Sequence, residues 1–211
     1  MATASQSLFN MTVASDNAGG NQGLLMPKLQ FRFRVNFLNF GVGSALELTK
    51  QVIDCSRPTV TFGEVTIPVY NSTMYLAGKH TWSDFTCKVR DDASGGVSKA
   101  IGQQLQKQMD FVEQASAATG QDYKFQVNVE MLDGGNGANA PAVLETWELY
   151  GCWLKVANYG ALNYSANEPV QIDMTIRFDN AIQSPLGSGV GTAVGRALGG
   201  TSTTGIGSGQ G

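Results

Sequence analysis

Three segments of the chain alternate apolar and polar side chains at every second residue. They cover residues 29–37, 123–131 and 170–178, and the first of them reads LQFRFRVNF. A period of two is that of a β-strand with one buried face and one polar face. Less regular alternation predicts further strands over residues 59–69, 82–90 and 143–154.

One segment, between residues 94 and 118, follows a helical period instead. Its apolar positions recur every three or four residues, which predicts one amphipathic helix entered from a glycine pair. Because parallel sheets need a crossover helix between successive strands, a single helix favours antiparallel pairing. The predicted class is mainly β (α+β by count), an antiparallel β-sandwich or barrel with one flanking α-helix. The apolar positions of the helix are Val97, Ile101, Leu105, Met109 and Val112.

Composition divides the chain into three zones. Hydrophobic residues make up 42% of the 211 residues, which is enough for one domain with its own core. Residues 1–25 carry a single charge, Asp16, and predict an N-terminal arm without a core. Residues 184–211 hold ten glycines and one charge, and predict a Gly/Ser-rich C-terminal tail. The predicted domain therefore covers residues 26–183.

Side chains suited to catalysis or metal binding are sparse. His80 is the single histidine, which excludes a His-rich metal site, and we expect it to be a surface or packing residue. The acidic pair at 91–92 precedes two glycines and is typical of a solvated turn. Cys55, Cys87 and Cys152 never form a CxxC pair and are typical of reduced core residues. The sequence predicts no catalytic site, no metal and no cofactor.

Charge and hydropathy exclude two further classes. A net charge of −3, with no two basic residues in succession, excludes a basic nucleic-acid-binding surface. No run of 18 apolar residues occurs, and the N-terminal residues lack the basic start and apolar core of a secretory signal. We therefore expect no membrane-spanning segment.

Two blocks of sequence together resemble the tail tube proteins of contractile-tailed, T4-like bacteriophages. The first block runs QFRFRVNF, VIDCSRP, a hairpin-like stretch over 62–78 and WSDFTCKVRDD, followed by the helix. The second runs ETWELYGCW and then LNYSANEPVQIDMTIRFD. The resemblance spans residues 26–183, and its strongest part is the order of the elements.

That resemblance implies a structural virion protein and not an enzyme. Copies would form hexameric rings that stack into a continuous β-barrel tube, the conduit for the genome during tail contraction. Partners would be further copies of the chain, the tail sheath protein, the tape-measure protein inside the lumen, and baseplate and tail-terminator proteins. Double-stranded DNA would pass without specific binding. The expected location is the virion tail, after assembly in the cytoplasm of the host bacterium, with the arm and the tail lying on neighbouring subunits.

The implied dimensions suit such a conduit. Four strands from each of six copies give a barrel with a bore of about 35 Å, wide enough for a DNA duplex. The same fold implies two alternatives, a baseplate tube initiator and a secretion-system-like tube protein. A different class is a monomeric carbohydrate-binding β-sandwich, in which exposed Trp82, Trp147 or Trp153 would stack on a sugar.

The hairpin-like stretch is the candidate for contacts between subunits or rings. Residues 63–79 are more apolar than a turn requires, so we expect this stretch to reach a neighbouring copy. The alternative is an ordinary hairpin packed on its own domain. The residues assigned to the contact are Ile67, Val69, Tyr70, Met74, Tyr75 and Leu76.

Polar positions of the alternating strands are the candidates for the inner wall of the tube. A basic lumen would bind passing DNA through counterion release, so we expect acids to outnumber bases there. The residues assigned to the lumen are Gln126, Asn128, Glu130, Gln171 and Asp173.

Overall fold

A computed structural model describes residues 28–42, 46–133, 141–165, 167–184 and 190. The predicted arm lies outside these residues, and so does the predicted tail apart from Ser184 and Val190. The chain divides into two units, Met1–Arg32 and Phe33–Gly211. In the first unit, residues 28–32 form a turn in which the amide of Arg32 donates to the carbonyl of Leu29 at 3.2 Å.

The second unit is mainly antiparallel β-structure, which confirms the predicted class. Its described elements in chain order are β1 Phe33–Leu38, α1 Leu46–Lys50, β2 Val52–Cys55, β3 Val60–Val69, β4 Ser72–Trp82, β5 Phe85–Arg90, α2 Gly96–Gln108, β6 Met109–Asp110, β7 Ala115–Ser116, α3 Gly120–Tyr123, β8 Phe125–Leu132, β9 Val143–Asn158, β10 Gln171–Arg177 and β11 Asn180–Ser184.

Two groups of strands, here called sheet I and sheet II, share the long strand β9. Sheet I has the order β1-β8-β9-β11 and uses the N-terminal part of β9. Sheet II has the order β9-β10-β5-β2 and uses the C-terminal part of β9. Sequence alternation located most of these strands, although it did not distinguish the two parts of β9.

Gly151 marks the point where β9 leaves sheet I and enters sheet II. It has a φ of +66°, in the left-handed region that favours glycine. A Cβ atom built there would lie 2.2 Å from a carboxylate oxygen of Asp179, between β10 and β11. A residue without a side chain is therefore required at this corner, and the corner lets one strand serve two sheets.

Both sheets turn their apolar faces into one hydrophobic core. Val127 and Leu149 of sheet I, and Ile172 and Ile176 of sheet II, have no exposed surface. Ile101 of α2 is equally buried in the same cluster. Because the core faces of both sheets meet, their polar faces point away from each other.

The helix is shorter than its apolar spacing predicted. It ends at Gln108, and Met109 and Val112, which were predicted to lie on its buried face, are 39% and 89% exposed. The cause is local, since the carboxylate of Asp110 accepts bonds from the amides of Val112 (2.9 Å) and Glu113 (3.3 Å) and stabilises a turn.

Several strand boundaries also differ from the prediction. The first strand begins at Phe33, because residues 28–32 form a turn instead. The predicted strand 82–90 is divided, with Trp82 ending β4 and Phe85 beginning β5. Tyr123 belongs to the short helix α3 and not to the following strand.

Candidate assembly surfaces

Strands β3 and β4 form a two-stranded ribbon that stands apart from the core. The pairing runs from Val60 opposite Trp82 to Val69 opposite Ser72. Nearly every residue between these ends is exposed on both faces. The predicted hairpin is therefore present, but the alternative in which it packs on its own domain is wrong for the described residues.

The ribbon has one apolar face and one mixed face. Beyond an irregularity near Gly63, Val65 lies opposite Leu76 and Ile67 lies opposite Met74. Strand alternation adds Val69 to these four side chains, and we call the five residues the apolar ribbon face. The mixed face carries Glu64, Thr66, Pro68, Thr73, Tyr75 and Ala77.

The structure divides the six residues assigned to subunit contacts among three places. Ile67, Val69, Met74 and Leu76 share the apolar ribbon face, and Tyr75 lies on the mixed face. Tyr70 lies at the tip, wholly exposed and with a positive φ of 47°. A bulky side chain in this conformation is strained, whereas glycine would adopt the same φ without strain.

The root of the ribbon, residues 56–59 and 82–84, is anchored to both sheets. On the incoming side, Arg57 forms a 2.7 Å ion pair with Glu145 of sheet I, a carboxylate that is only 5% exposed. The same oxygen of Glu145 accepts hydrogen bonds from the indole N–H of Trp147 (2.6 Å) and the side-chain amide of Gln183 (2.9 Å). A buried carboxylate with these partners holds the arginine in one place.

On the outgoing side, sheet II holds the other end of the root. Arg177 donates to the carbonyl of Trp82 at 2.6 Å and to the carboxylate of Asp84 at 2.9 Å. Lys155 also donates to Asp84 at 2.6 Å. Hydrogen bonds from Lys155 and Arg177 hold the pKa of Asp84 below its usual range. The direction in which the ribbon leaves the sheets is thereby fixed at both strands.

The polar face of sheet I carries three of the residues assigned to the lumen. Gln126, Asn128 and Glu130 alternate along β8 with buried side chains. Glu130 accepts bonds from Arg34 (2.7 Å) and Asn36 (3.0 Å) of β1, which lie on the same face. These contacts give a surface of amides and paired charges.

The other two assigned residues, Gln171 and Asp173, lie on β10 in sheet II. They pair with Arg90 and Lys88 of β5. The structure therefore does not bring the five residues into one patch, because β8 and β10 pair with different parts of β9.

The two polar faces differ in charge. Among described strand positions, sheet I presents Glu130 and Glu148 against one base, Arg34. The phenol of Tyr150 donates to Glu148, and this bond raises the pKa of the tyrosine. Sheet II presents four bases against two acids. These are Lys88, Arg90, Lys155 and Arg177 against Asp54 and Asp173.

Strand edges differ in how far the chain covers them. In the described residues, β1 pairs only with β8, and β2 pairs only with β5. The edge of β9 in sheet II is covered by α2, since the side-chain amide of Gln108 bonds both the N–H and the C=O of Leu154 at 2.9 Å. At β11, the backbone N–H of Gln183 donates to the carbonyl of Val190 at 2.8 Å. Among the described residues, no further strand pairs with the outer edge of β1 or of β2, and such an edge can accept a partner strand.

A cavity of about 500 Å³ opens between the end of β9 and the start of β10. Its lining is exposed and about equally polar and apolar, with Leu162 84% exposed and Tyr164 fully exposed. Glu168 and Asp173 are its acids. Burial raises the pKa of Tyr159, and Asp91 adds to that shift. Sequence analysis missed this cavity, since its residues lie in a loop without a periodic pattern.

The tryptophans that a sugar binder would use, and the histidine that an enzyme would use, do not form such a site. Trp82 and Trp147 are buried, so the expectation that they stack on a sugar is wrong, and Trp153 is half-buried. His80 is exposed on the ribbon between the rings of Phe62 (6.1 Å) and Trp82 (6.2 Å), as a packing residue would be.

The cysteines are placed as core residues. Cys87 and Cys152 are buried and Cys55 is half-buried, and all three are free thiols. Burial raises the pKa of Cys55 to about 11 and that of Cys152 to about 12, so neither is a thiolate at neutral pH.

Within the described part of the chain, no group of three or more His, Cys, Asp or Glu side chains is arranged to hold a metal ion. The helices seen there are also too short and too polar to cross a bilayer.

Comparison with known proteins identifies the fold. No protein-family model and no curated protein matches the sequence. Among solved structures, a chain from the tube-terminating cap of the anti-feeding prophage is similar over 82% of this chain and 99% of its own, with a TM-score of 0.56 and 12% identity. A chain of the baseplate of the same particle, symmetrised six-fold, is similar over 76% of this chain and 97% of its own, with a TM-score of 0.54 and 15% identity.

A chain of the PVC sheath–tube complex, from an extracellular contractile injection system, is similar over 76% of this chain and 93% of its own. Its TM-score is 0.52 and its identity is 12%. These similarities cover nearly the whole of each neighbour. The chain therefore has the fold found in tube, cap and baseplate components of contractile injection systems.

Proposed function

We propose that this chain is the tail tube subunit of a contractile tail. Copies would close into rings through sheet edges and stack into a hollow tube that conducts the phage genome and the tape-measure protein. The observation that carries the proposal is the apolar ribbon face, which no described residue of the same chain covers. A monomer gains nothing from five apolar side chains that are each about half exposed, whereas a polymer buries them.

The two outer strands of sheet I, β1 and β11, supply the second requirement of a ring. Unpaired backbone groups on a strand edge accept a further strand, and a closed ring satisfies every such edge. Sheet I contributes four strands, the number that six copies need for a barrel of about 24 strands. The three similar structures, which are parts of tube and baseplate assemblies, support the same architecture.

We infer that sheet I lines the lumen. Its polar face has more acids than bases and many amides, whereas the polar face of sheet II is more basic. Duplex DNA binds surfaces whose bases release its counterions, so a wall made of sheet I lets DNA slide. Gln126, Asn128 and Glu130 are then lumen residues, and Gln171 and Asp173 face away from the bore.

Electron microscopy of the purified protein tests the proposal directly. Negative staining should show stacked rings with a central hole. The variant Ile67→Asp with Met74→Asp should not form tubes, because it places two charges on the apolar ribbon face. The matched control is Thr66→Asp with Thr73→Asp, which adds the same charges to the mixed face and should leave tubes intact. A monodisperse monomer of the unmodified protein at high concentration would contradict the proposal.

A charge reversal tests the lumen. Glu148→Lys places a base on the polar face of sheet I and should make assembled tubes retain duplex DNA at low salt. Thr86→Lys places the same charge on the exposed face of sheet II and should not. Co-sedimentation of DNA with tubes measures the difference, and equal retention by both variants would refute the assignment of sheet I to the lumen.

A further inference from the structure

The ribbon and the loop cavity lie at opposite ends of sheet II. The root of the ribbon reaches β5 at Phe85, where Trp82 and Asp84 bond to Arg177. The cavity lies at the other end of β5, where Arg90 pairs with Gln171. There the amide of Asp91 donates to the carbonyl of Val170, a lining residue, at 3.0 Å. The six residues of β5 separate the two features by about 20 Å.

This placement decides which copy can meet the ribbon. The ribbon leaves one end of the sheet and the cavity opens at the other, and the described ribbon residues are exposed and do not line the cavity, so a chain's own ribbon does not occupy its own cavity. A second copy displaced along the strand direction brings its ribbon to the cavity of the first. Such a contact joins two different surfaces of the same chain, and it repeats without limit in one direction.

The chemistry of the two surfaces also agrees. The cavity offers aromatic and aliphatic side chains, among them Tyr159, Leu162, Tyr164 and Val170. Its charged lining residues are the acids Glu168 and Asp173, so an occupant that contacts the apolar side chains should bring no carboxylate. The apolar ribbon face brings five aliphatic side chains, and the acid of the ribbon, Glu64, lies on the mixed face.

We propose that the apolar ribbon face of one copy binds the loop cavity of a copy in the adjoining ring and is the contact that stacks rings. This inference rests on the proposed function and adds the receptor for the ribbon. The cavity residues Leu162 and Tyr164 are then the second half of the stacking contact. Lateral closure of each ring uses other surfaces, the edge strands of sheet I, and does not depend on this contact.

Disulfide cross-linking of assembled tubes tests the pairing. In the variant Ile67→Cys with Leu162→Cys, mild oxidation should link successive copies and give a ladder of multimers on a non-reducing gel. The matched control, Thr66→Cys with Leu162→Cys, places the thiol on the mixed face and should give no ladder, because a disulfide needs Cβ atoms about 4 Å apart. The unmodified chain shows the background from the three native cysteines.

A second variant separates stacking from ring closure. Leu162→Glu changes a side chain that is 84% exposed, so the monomer should fold normally. Electron microscopy should show single rings in place of tubes. Val112→Glu, at an equally exposed apolar residue outside the cavity, is the control and should still give tubes.

The outcomes distinguish this inference from the proposed function. Suppose that the unmodified protein forms tubes. The stacking contact would then be overturned if the 67–162 variant gave no ladder, if the 66–162 and 67–162 variants gave equal ladders, or if the cross-linked product were a fast-migrating monomer. None of these results would contradict the tube itself. Normal stacking of Leu162→Glu would overturn it as well. Failure of the unmodified protein to form any ring or tube would instead remove the proposed function.

Discussion

Strands β8 and β3 are both rich in aliphatic residues, yet the apolar side chains of β8 are buried and those of β3 are exposed. In β8, Phe125, Val127 and Val129 are buried against the core, and the residues between them face solvent. In β3, Val65, Ile67 and Val69 alternate in the same way, but all three are exposed. A pattern of period two therefore shows which face of a strand is apolar, and it does not show which molecule covers that face.

The largest effect on stability should come from a core position of the sheets. Ile176→Ala removes a side chain with no exposed surface and should lower the free energy of unfolding by about 3 kcal/mol. Ile67→Ala on the ribbon is the matched variant and should change it by less than about 0.5 kcal/mol. Urea unfolding at concentrations where the protein is monomeric measures both. Equal losses would mean that the ribbon packs on its own chain.

A smaller effect should follow from changing the corner of β9. Gly151→Ala adds a Cβ at a positive φ and against the carboxylate of Asp179, and should cost about 2 kcal/mol. Gly102→Ala, in the middle of α2 with open space around it, should instead stabilise the protein by about 0.8 kcal/mol. Thermal unfolding followed by circular dichroism compares them, and a neutral Gly151→Ala variant would show that the corner is adaptable.

The root of the ribbon should contribute least, and in a pH-dependent way. Asp84→Asn removes the charge that bonds Lys155 and Arg177, and solvent screening limits the expected loss at pH 7 to about 1 kcal/mol. The pKa of Asp84 is lowered in the folded protein, so its contribution is complete above the unfolded value of about 3.9 and is lost as the pH falls through the folded value.

The difference between wild type and Asp84→Asn should therefore be constant from pH 7 to pH 5 and shrink in more acidic solution. Urea unfolding of both proteins across this range measures it. A difference that grows on acidification would contradict the assignment of the depressed pKa to these two hydrogen bonds.

Sequence reasoning located the ribbon but not its two faces. Six residues were assigned to contacts from their apolar character, without regard to the face on which each lies. Alternation along β4 separates Tyr75 from Met74, but only the pairing of β3 with β4 shows that Ile67 lies opposite Met74 and shares its face. A shift of one residue in that pairing would place Ile67 opposite Tyr75 instead, so the register, which composition does not show, decides which side chains form the apolar ribbon face.

The cavity and the root contacts were also beyond sequence reasoning. Arg57 and Glu145 are 88 residues apart, and the loop that contains Leu162 has no periodic pattern. For the helix, the apolar spacing through Met109 and Val112 was real, but the turn held by Asp110 overrode it. Local hydrogen bonds from a short side chain compete with the helical ladder, and hydropathy does not register that competition.

The sequence by itself determined the local elements of the fold and the charge balance. The elements are antiparallel strands with one apolar face each and one amphipathic helix, and the charge balance is unsuited to binding DNA. These properties depend on neighbours two to four residues apart, which a single sequence displays. The tertiary structure alone decided the division of β9 between two sheets at Gly151, the separation of Gln126 and Asp173, and the placement of the ribbon and the cavity at opposite ends of one sheet. Those features depend on pairings between distant segments, whose free energies are set by register and packing and are not encoded in any local pattern.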